Sequence, residues 1–195
     1  MKTPLILASS SPFRQQILAK LCLQFDSFSP DIDESAHPQE TPAELVARLS
    51  EAKAQTAHQY YSSGLVIGSD QVALFNEQIL GKPHTVENAH KQLQQFSGQV
   101  VTFLTGLSVY QLETQRAITK VVPFKVHFRA LSEAQIKHYV AKEQPLNCAG
   151  SFKSEGLGIC LFDKLEGEDP NTLIGLPLIE LTKSLAEFGV DVLGQ

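Results

Sequence analysis

The stretch Leu65–Phe75 reads Leu-Val-Ile-Gly-Ser-Asp-Gln-Val-Ala-Leu-Phe and constrains the fold more than any other. Both of its parities are apolar, the pattern of a strand covered on both sheet faces. In its middle stands a carboxylate, Asp70, flanked by Gly68, Ser69 and Gln71. Burying an unpaired carboxylate is costly, so Asp70 needs a cation, a metal or a raised pKa. Gly68 shares its parity and leaves the sheet bare beside it, as a closely approaching ligand would require. The plainer alternative is a strand-end Asp that caps a turn.

Composition sets the frame around that strand. A chain of 195 residues with 43% hydrophobic and 19% charged residues is expected to form one large domain, spanning 1–195, with a sizeable core and room for two lobes. A net charge of −5 argues against a general nucleic-acid binder, so an anionic ligand would need a local basic cluster. Cys22, Cys148 and Cys160 are odd in number and lack Cys-x-x-Cys spacing, which favours a reducing compartment and carries no zinc signature. The six histidines show no paired metal spacing. The opening Met1–Ala8 has too short an apolar run for a signal peptide, and no segment reaches the length of a membrane span. A cytoplasmic location is the expectation, with no membrane partner and no nucleic-acid polymer.

Along the chain, Leu5–Ala8 reads as a short buried strand, then Ser11 and Pro12 open a helix to about Leu23. Strand, serine cluster and helix start form a natural anion seat, to which Arg14 adds a bidentate donor. A capped helix with a solvated arginine explains the same residues. Phe13 shares a helical face with Ile17 and Leu21, so it also reads as core. After a strand near Phe25–Ser29, Asp31, Asp33 and Glu34 lie close enough for one to supply a hard metal ligand, unless the loop is simply solvated.

Thr41-Pro42-Ala43-Glu44 is a capping box that starts a helix to about Tyr60. On it Lys53 continues the apolar stripe of Leu45, Val46 and Leu49, and either snorkels outward or aims its ammonium at a buried anion. Lys82 lies in the turn Gly81-Lys82-Pro83, before a helix capped by Thr85 and ending near Phe96. Two long strands follow, Val100–Tyr110 and Ile118–Arg129. The second alternates Phe124, Val126 and Phe128 with Lys125, His127 and Arg129, as a locally antiparallel strand with one wet face does. Pro123 marks an edge or bulge. Ser132 with Gln135 caps a helix to about Lys142, and a closing helix runs to about Phe188. Between them, the glycine-rich run Cys148–Cys160 surrounds Glu155 with small residues, as backbone close to a ligand or a plain surface loop would. No Walker A sequence is present, and Gly156-Leu157-Gly158 lacks the third glycine of a dinucleotide fingerprint. Ser50-x-x-Lys53 with Ser69-Asp70-Gln71 faintly echoes penicillin-binding enzymes, but the Lys-Thr-Gly element is missing.

Taken together, Ala8-Ser9-Ser10-Ser11-Pro12-Phe13-Arg14, Asp33-Glu34, Glu51-Ala52-Lys53-Ala54, Gly68-Ser69-Asp70-Gln71 and Gly81-Lys82-Pro83 resemble the Maf family of nucleoside triphosphate pyrophosphatases. Ala149-Gly150-Ser151-Phe152 through Gly158 and Asn171-Thr172-Leu173-Ile174-Gly175-Leu176-Pro177 continue the match over essentially the whole chain. The resemblance implies an α/β fold with a twisted mixed sheet flanked by helices, Maf/inosine-triphosphatase-like, with two lobes about a central cleft. It also implies a homodimer, and hydrolysis of a nucleoside triphosphate to monophosphate and pyrophosphate with a divalent metal cation, Mg²⁺ or Mn²⁺.

The set Phe13, Gln71 and Glu155 resembles the branch acting on 7-methyl-GTP, although that branch often has Trp at the first position. N7-methylation makes guanine cationic, and an aromatic face with a nearby carboxylate favours a cation. The implied roles are Asp70 as proton acceptor and metal ligand with Glu34; Ser9, Ser11, Arg14, Lys53 and Lys82 on the phosphates; and Phe13, Gln71 and Glu155 in substrate specificity. Strict pleating, however, puts Gln71 on the opposite face from Asp70 unless the strand bulges there. The alternatives are a dTTP/UTP or broad non-standard-nucleotide pyrophosphatase, and a non-catalytic nucleotide sensor linked to septum formation.

Overall fold

A computed structural model describes residues 3–194; Met1 and Lys2 of the opening stretch lie outside it. In chain order the regular elements are β1 (Leu5–Ala8), α1 (Pro12–Ala19), β2 (Asp26–Phe28), α2 (Pro42–Gln55), β3 (Leu65–Phe75), β4 (Gln78–Leu80), α3 (Val86–Phe96), β5 (Val100–Gln111), β6 (Arg116–Phe128), α4 (Glu133–Glu143), β7 (Phe162–Glu166), α5 (Asn171–Ile174) and α6 (Leu178–Ala186). The strands hydrogen-bond in the order β2-β1-β3-β5-β6-β7, with β4 on β3. The sheet is mixed: β1 runs parallel to β2 and β3, whereas β3–β4 and β6–β7 are antiparallel. The α/β class and mixed sheet expected from the residues and motifs are therefore those observed.

The described chain gathers into two compact units. One comprises Met1–Gln71, Thr105–Val122 and Asp169–Gln195, the other Val72–Leu104 and Pro123–Glu168.

In the first unit, parity decides what covers each face. Leu5 and Leu7 of β1, Leu65 and Ile67 of β3, and Leu107 and Val109 of β5 share one core with Ile17 and Leu18 of α1 and Leu178, Leu181 and Leu185 of α6. The alternate residues Ile6, Ala8 and Val66 pack with Ala54 of α2 and with Ala57. Strand β3 is thus buried on both faces, as apolar residues on both of its parities require. The capping box of α2 is present, Thr41 accepting from the Glu44 backbone and the Glu44 carboxylate accepting from the Thr41 backbone. Helix α1 stops at Ala19, earlier than its sequence pattern indicates, and the turn after it bends through Cys22 at φ +55°.

The second unit is held by aromatics. Phe75, Phe96, Phe128, Phe152, Phe103 and Phe162 form a continuous chain of edge-to-face and tilted contacts, with centroids 4.9–5.6 Å apart. Phe128 is central and touches three other rings. The strand pattern of β7 is weak; pairing with β6 fixes it, Lys125 opposite Glu166 and Val126 opposite Leu165. That pairing starts just beyond Pro123, whose missing N–H therefore breaks no β7 bond. The irregularity in the β6–β7 pairing falls at His127/Phe128. Among the described residues, no helix is long and apolar enough to cross a membrane.

Candidate active site

Helix α2 lies against β3 on the parity of Ala8, Val66, Gly68 and Asp70. A Cβ at Gly68 would stand 2.0 Å from the Ser50 carbonyl oxygen, and one at Gly106 on β5 would stand 2.1 Å from the Val46 carbonyl oxygen. Both glycines therefore serve the approach of a helix. The bare patch at Gly68, expected to admit a ligand, is filled by α2. Ser50 links the two elements: its hydroxyl donates to the Val46 carbonyl at 2.5 Å and accepts the Asp70 N–H at 3.1 Å.

That approach brings a lysine to the central carboxylate. Lys53 Nζ donates to Asp70 Oδ1 at 2.6 Å and lies 2.7 Å from Glu34 Oε1. The Lys53 and Asp70 side chains are only 9% and 11% exposed, whereas Glu34 is 61% exposed, so the triad is closed at one end and open to water at the other. Of the two readings for Lys53, the ammonium aimed at a buried anion is the one observed. Asp70 has its cation, and it caps no turn.

Arg14 faces the same charges. It is half-buried, and its Nε donates to the Gly175 carbonyl at 2.9 Å. Burial lowers its pKa, while the Asp70 and Glu34 carboxylates oppose that shift. Gly175 has φ +112°, and a Cβ there would meet Arg14 Nε at 3.1 Å, so glycine serves both the turn and the arginine. Ser9 is buried, and its hydroxyl accepts the Ser11 N–H at 3.1 Å. The Ser11 hydroxyl caps α1 by accepting the Arg14 N–H at 3.4 Å. Phe13 is 38% exposed in the first turn of α1, so it does not join the core with Ile17.

Glu34 is held by a clamp that no local pattern signals. Arg48 on α2 binds Glu40 in a bidentate pair, Nε to Oε1 at 2.6 Å and Nη2 to Oε2 at 2.8 Å. The same Nη2 donates to the Ser35 carbonyl at 3.0 Å, fixing the backbone next to Glu34. The Arg48 hydrogen bonds, foremost among the causes, hold the Glu40 carboxyl down at about 2. Asp33 turns inward on its own loop and accepts the Ser35 N–H at 2.9 Å.

Gln71 keeps to strict pleating. Its Nε2 donates to Thr105 Oγ1 and to the Thr172 carbonyl, each at 2.8 Å, on the face opposite Asp70. Ser69 shares that face and donates to the Gly106 and Gly175 carbonyls, each at 2.8 Å. Gln71 joins the turn over α5 instead of the Asp70 cluster.

Lys82 and Glu155 belong to the second unit. Both are exposed, and both act on the half-buried Cys148 thiol. Burial raises that thiol most; Lys153 and Lys82 lower it, and Glu155 and Glu143 raise it. A depression of about 250 Å³ on the same unit, lined by residues including Arg129, His138, Lys142 and Leu157, contains no carboxylate and none of the candidate residues.

The donor set at Asp70 fits a hard divalent cation shared with a ligand. Among the described residues no three His, Cys, Asp or Glu side chains gather to make a cage. Two carboxylates do converge on one cationic centre, 2.6 and 2.7 Å away, and each retains a second oxygen. Mg²⁺ is commonly bound in this way, through one or two carboxylates with phosphate oxygens and water completing the octahedron.

Comparison with known proteins places the chain in a family. The profile of the family described as Maf-like protein matches residues 4–188. A protein named 7-methyl-GTP pyrophosphatase from Pseudoalteromonas translucida (strain TAC 125) is 66% identical over 193 residues, covering 99% of this chain and 96% of the relative. Proteins of the same name from Colwellia psychrerythraea (strain 34H / ATCC BAA-681) and Vibrio vulnificus (strain CMCP6) are 56% and 57% identical, covering 100% and 97% of this chain and 97% of each relative. Among solved structures, a HAM1 protein from Coxiella burnetii superposes with TM-score 0.51 at 15% identity, covering 95% of this chain and 100% of that one. The Staphylococcus aureus Ham1 protein gives 0.50 at 12%, covering 96% and 100%. At that identity the likeness speaks for the fold alone.

Proposed function

This chain belongs to the Maf family, and on that premise we propose that it hydrolyses 7-methyl-GTP to 7-methyl-GMP and pyrophosphate. The observation that carries the reading is the buried Lys53 ammonium held between Asp70 and Glu34, with Arg14 facing the same carboxylates. Phosphoryl transfer needs little covalent help from a protein; it needs positioned charge and a positioned nucleophile.

In the proposed reaction a water oxygen bonds to the α-phosphorus while the bond from that phosphorus to the bridging oxygen of the β-phosphate breaks. The proton of the attacking water passes to Asp70, and pyrophosphate departs. Lys53 engages Oδ1 and orients the carboxylate, leaving Oδ2 for the water. Asp70 and Glu34 would hold a divalent cation, which when bound neutralises phosphate charge. Arg14 and Lys82 would hold phosphate oxygens and balance the charge on the leaving pyrophosphate. Ser9 and Ser11 shape the start of α1, and we assign their backbone turn, more than their hydroxyls, to the phosphate.

A methylated guanine is cationic, which suits the exposed Phe13 ring and the Glu155 carboxylate. Gln71 acts at one remove in this scheme, by holding the Thr172 carbonyl. The deciding experiment is a substrate panel of 7-methyl-GTP, GTP, dTTP and UTP, with pyrophosphate distinguished from phosphate. Release of pyrophosphate fastest from 7-methyl-GTP is expected, with that preference reduced in Glu155→Gln. Faster turnover of dTTP or UTP, or binding without product, would overturn the reading.

A further inference from the structure

One residue outside the assigned set touches both functional loops of the second unit. Gln92 lies on α3, half-buried, and both ends of its amide are in use. Its Nε2 donates to the Gly81 carbonyl at 3.0 Å, the residue before Lys82. Its Oε1 accepts a hydrogen bond from the Ser151 hydroxyl, at the start of the loop that carries Glu155. The orientation of the amide follows from chemistry: only the nitrogen can face a carbonyl, which leaves the oxygen for the hydroxyl.

Each arm restrains backbone that would otherwise be free to move. On the lysine side, Asn88, one helical turn before Gln92, donates to the Pro83 carbonyl at 3.0 Å. Two amides spaced i, i+4 on one face of α3 thereby hold the carbonyls of the residues on both sides of Lys82. On the loop side, Gly150 and Ser151 lie successively at φ +76° and +60°. Serine is disfavoured in that region, and Ser151 is fully buried, so the conformation persists because its surroundings impose it. The Ser151 N–H donates to the Cys148 carbonyl at 3.1 Å, and its hydroxyl goes to Gln92. Downstream, Lys82 and Glu155 both act on the Cys148 thiol.

We propose that Gln92 is a positioning residue for specificity: it couples the turn of the phosphate-side Lys82 to the base-side loop of Glu155, so that the methylated base and the triphosphate are read in one register. The inference rests on the roles given above to Lys82 and Glu155. A residue that merely supported the fold would lower stability without altering the ratio of kcat/KM for 7-methyl-GTP to that for GTP.

The test compares steady-state kinetics on those two nucleotides, with thermal melts alongside. Gln92→Glu keeps an acceptor for Ser151 and loses the donor to Gly81; it should raise KM about tenfold for both nucleotides and leave the ratio unchanged. Ser151→Ala cuts only the other arm and should lower the ratio about tenfold. Gln92→Ala should do both, and adding Ser151→Ala to it should lower the ratio no further. Should Gln92→Ala fail to fold, the two single-arm variants decide the matter. A lowered melting temperature with unchanged KM and ratio would overturn the proposal, as would fully multiplicative effects in the double variant. Lys82→Ala and Glu155→Gln are measured in parallel. If they alter KM and ratio while the Gln92 and Ser151 variants do not, the coupling alone is wrong; if they too are silent, the assignment of the site falls and the coupling with it.

Discussion

Lys53 meets two carboxylates at 2.6 and 2.7 Å with almost no exposed surface, and that contact dictates how each partner will respond to substitution. Asp70→Asn preserves shape and keeps an oxygen for Lys53, but removes the charge and the proton acceptor. Turnover should fall by roughly 10² to 10⁴ while nucleotide still binds, measured as kcat beside a binding isotherm. Near-normal turnover would remove Asp70 from its assigned role. At Gly68 the effect is steric: a methyl group placed 2.0 Å from the Ser50 carbonyl must push α2 off β3. Gly68→Ala should cost about 3 kcal/mol or more in a urea melt and depress turnover by moving Lys53. Lys53 itself lay on a recognisable apolar stripe, so its side of the helix was legible from spacing, but not whether its ammonium turned outward or inward. Its partner was not legible, because that depends on where a strand seventeen residues further on is brought to lie.

At the scale of elements, the acidic loop is set by its clamp to α2. The Glu40 carboxyl drops from its ordinary 4.5 to about 2 through its hydrogen bonds to Arg48. A carboxylate lowered on folding adds stability that is complete above its unfolded value and lost as pH falls toward the folded one. The melting-temperature difference between the wild type and Arg48→Ala should therefore be largest above about pH 5 and shrink steadily toward pH 2. A difference constant with pH would exclude the ion pair as its source. The Glu166 carboxyl of β7, held at about 2 by Lys164 and Lys125, remains in both proteins and cancels from the comparison. Local chemistry announced several elements correctly: the capping boxes of α2 and α4 and the uninterrupted run of β3 are present as their residues indicate. The Arg48–Glu40 clamp left no such trace, since its members sit eight residues apart, one just before the N-cap and the other two turns into α2. The buried Asp169 carboxylate, at the head of the turn Asp169-Pro170-Asn171-Thr172, accepts the Asn171 and Ile179 backbone N–H groups, each at 2.8 Å, and so ties α5 to the start of α6.

For the molecule as a whole, the distribution of ligands makes a statement about metal. With two carboxylates already sharing the Lys53 ammonium and no third ligand gathered among the described residues, the free protein should hold a divalent cation weakly. Chelation is expected to abolish turnover and yet leave the melting temperature of the nucleotide-free protein within about 1 °C, because a ligand stabilises only in proportion to its occupancy. A large drop on chelation would point to a dedicated site that this geometry does not contain.

By itself the sequence determined most of the α/β elements, the two-sided burial of β3 and the family. All of these are written in neighbours a few residues apart, where caps, turns and periodicity act. Only the tertiary structure decided that the space beside Gly68 belongs to a helix, that Lys53 serves as the cation for Asp70 and Glu34, and that Gln71 is spent on the turn over α5. Those outcomes depend on how closely α2, β3 and β5 approach, which two glycines far apart in the chain allow and no local pattern reveals.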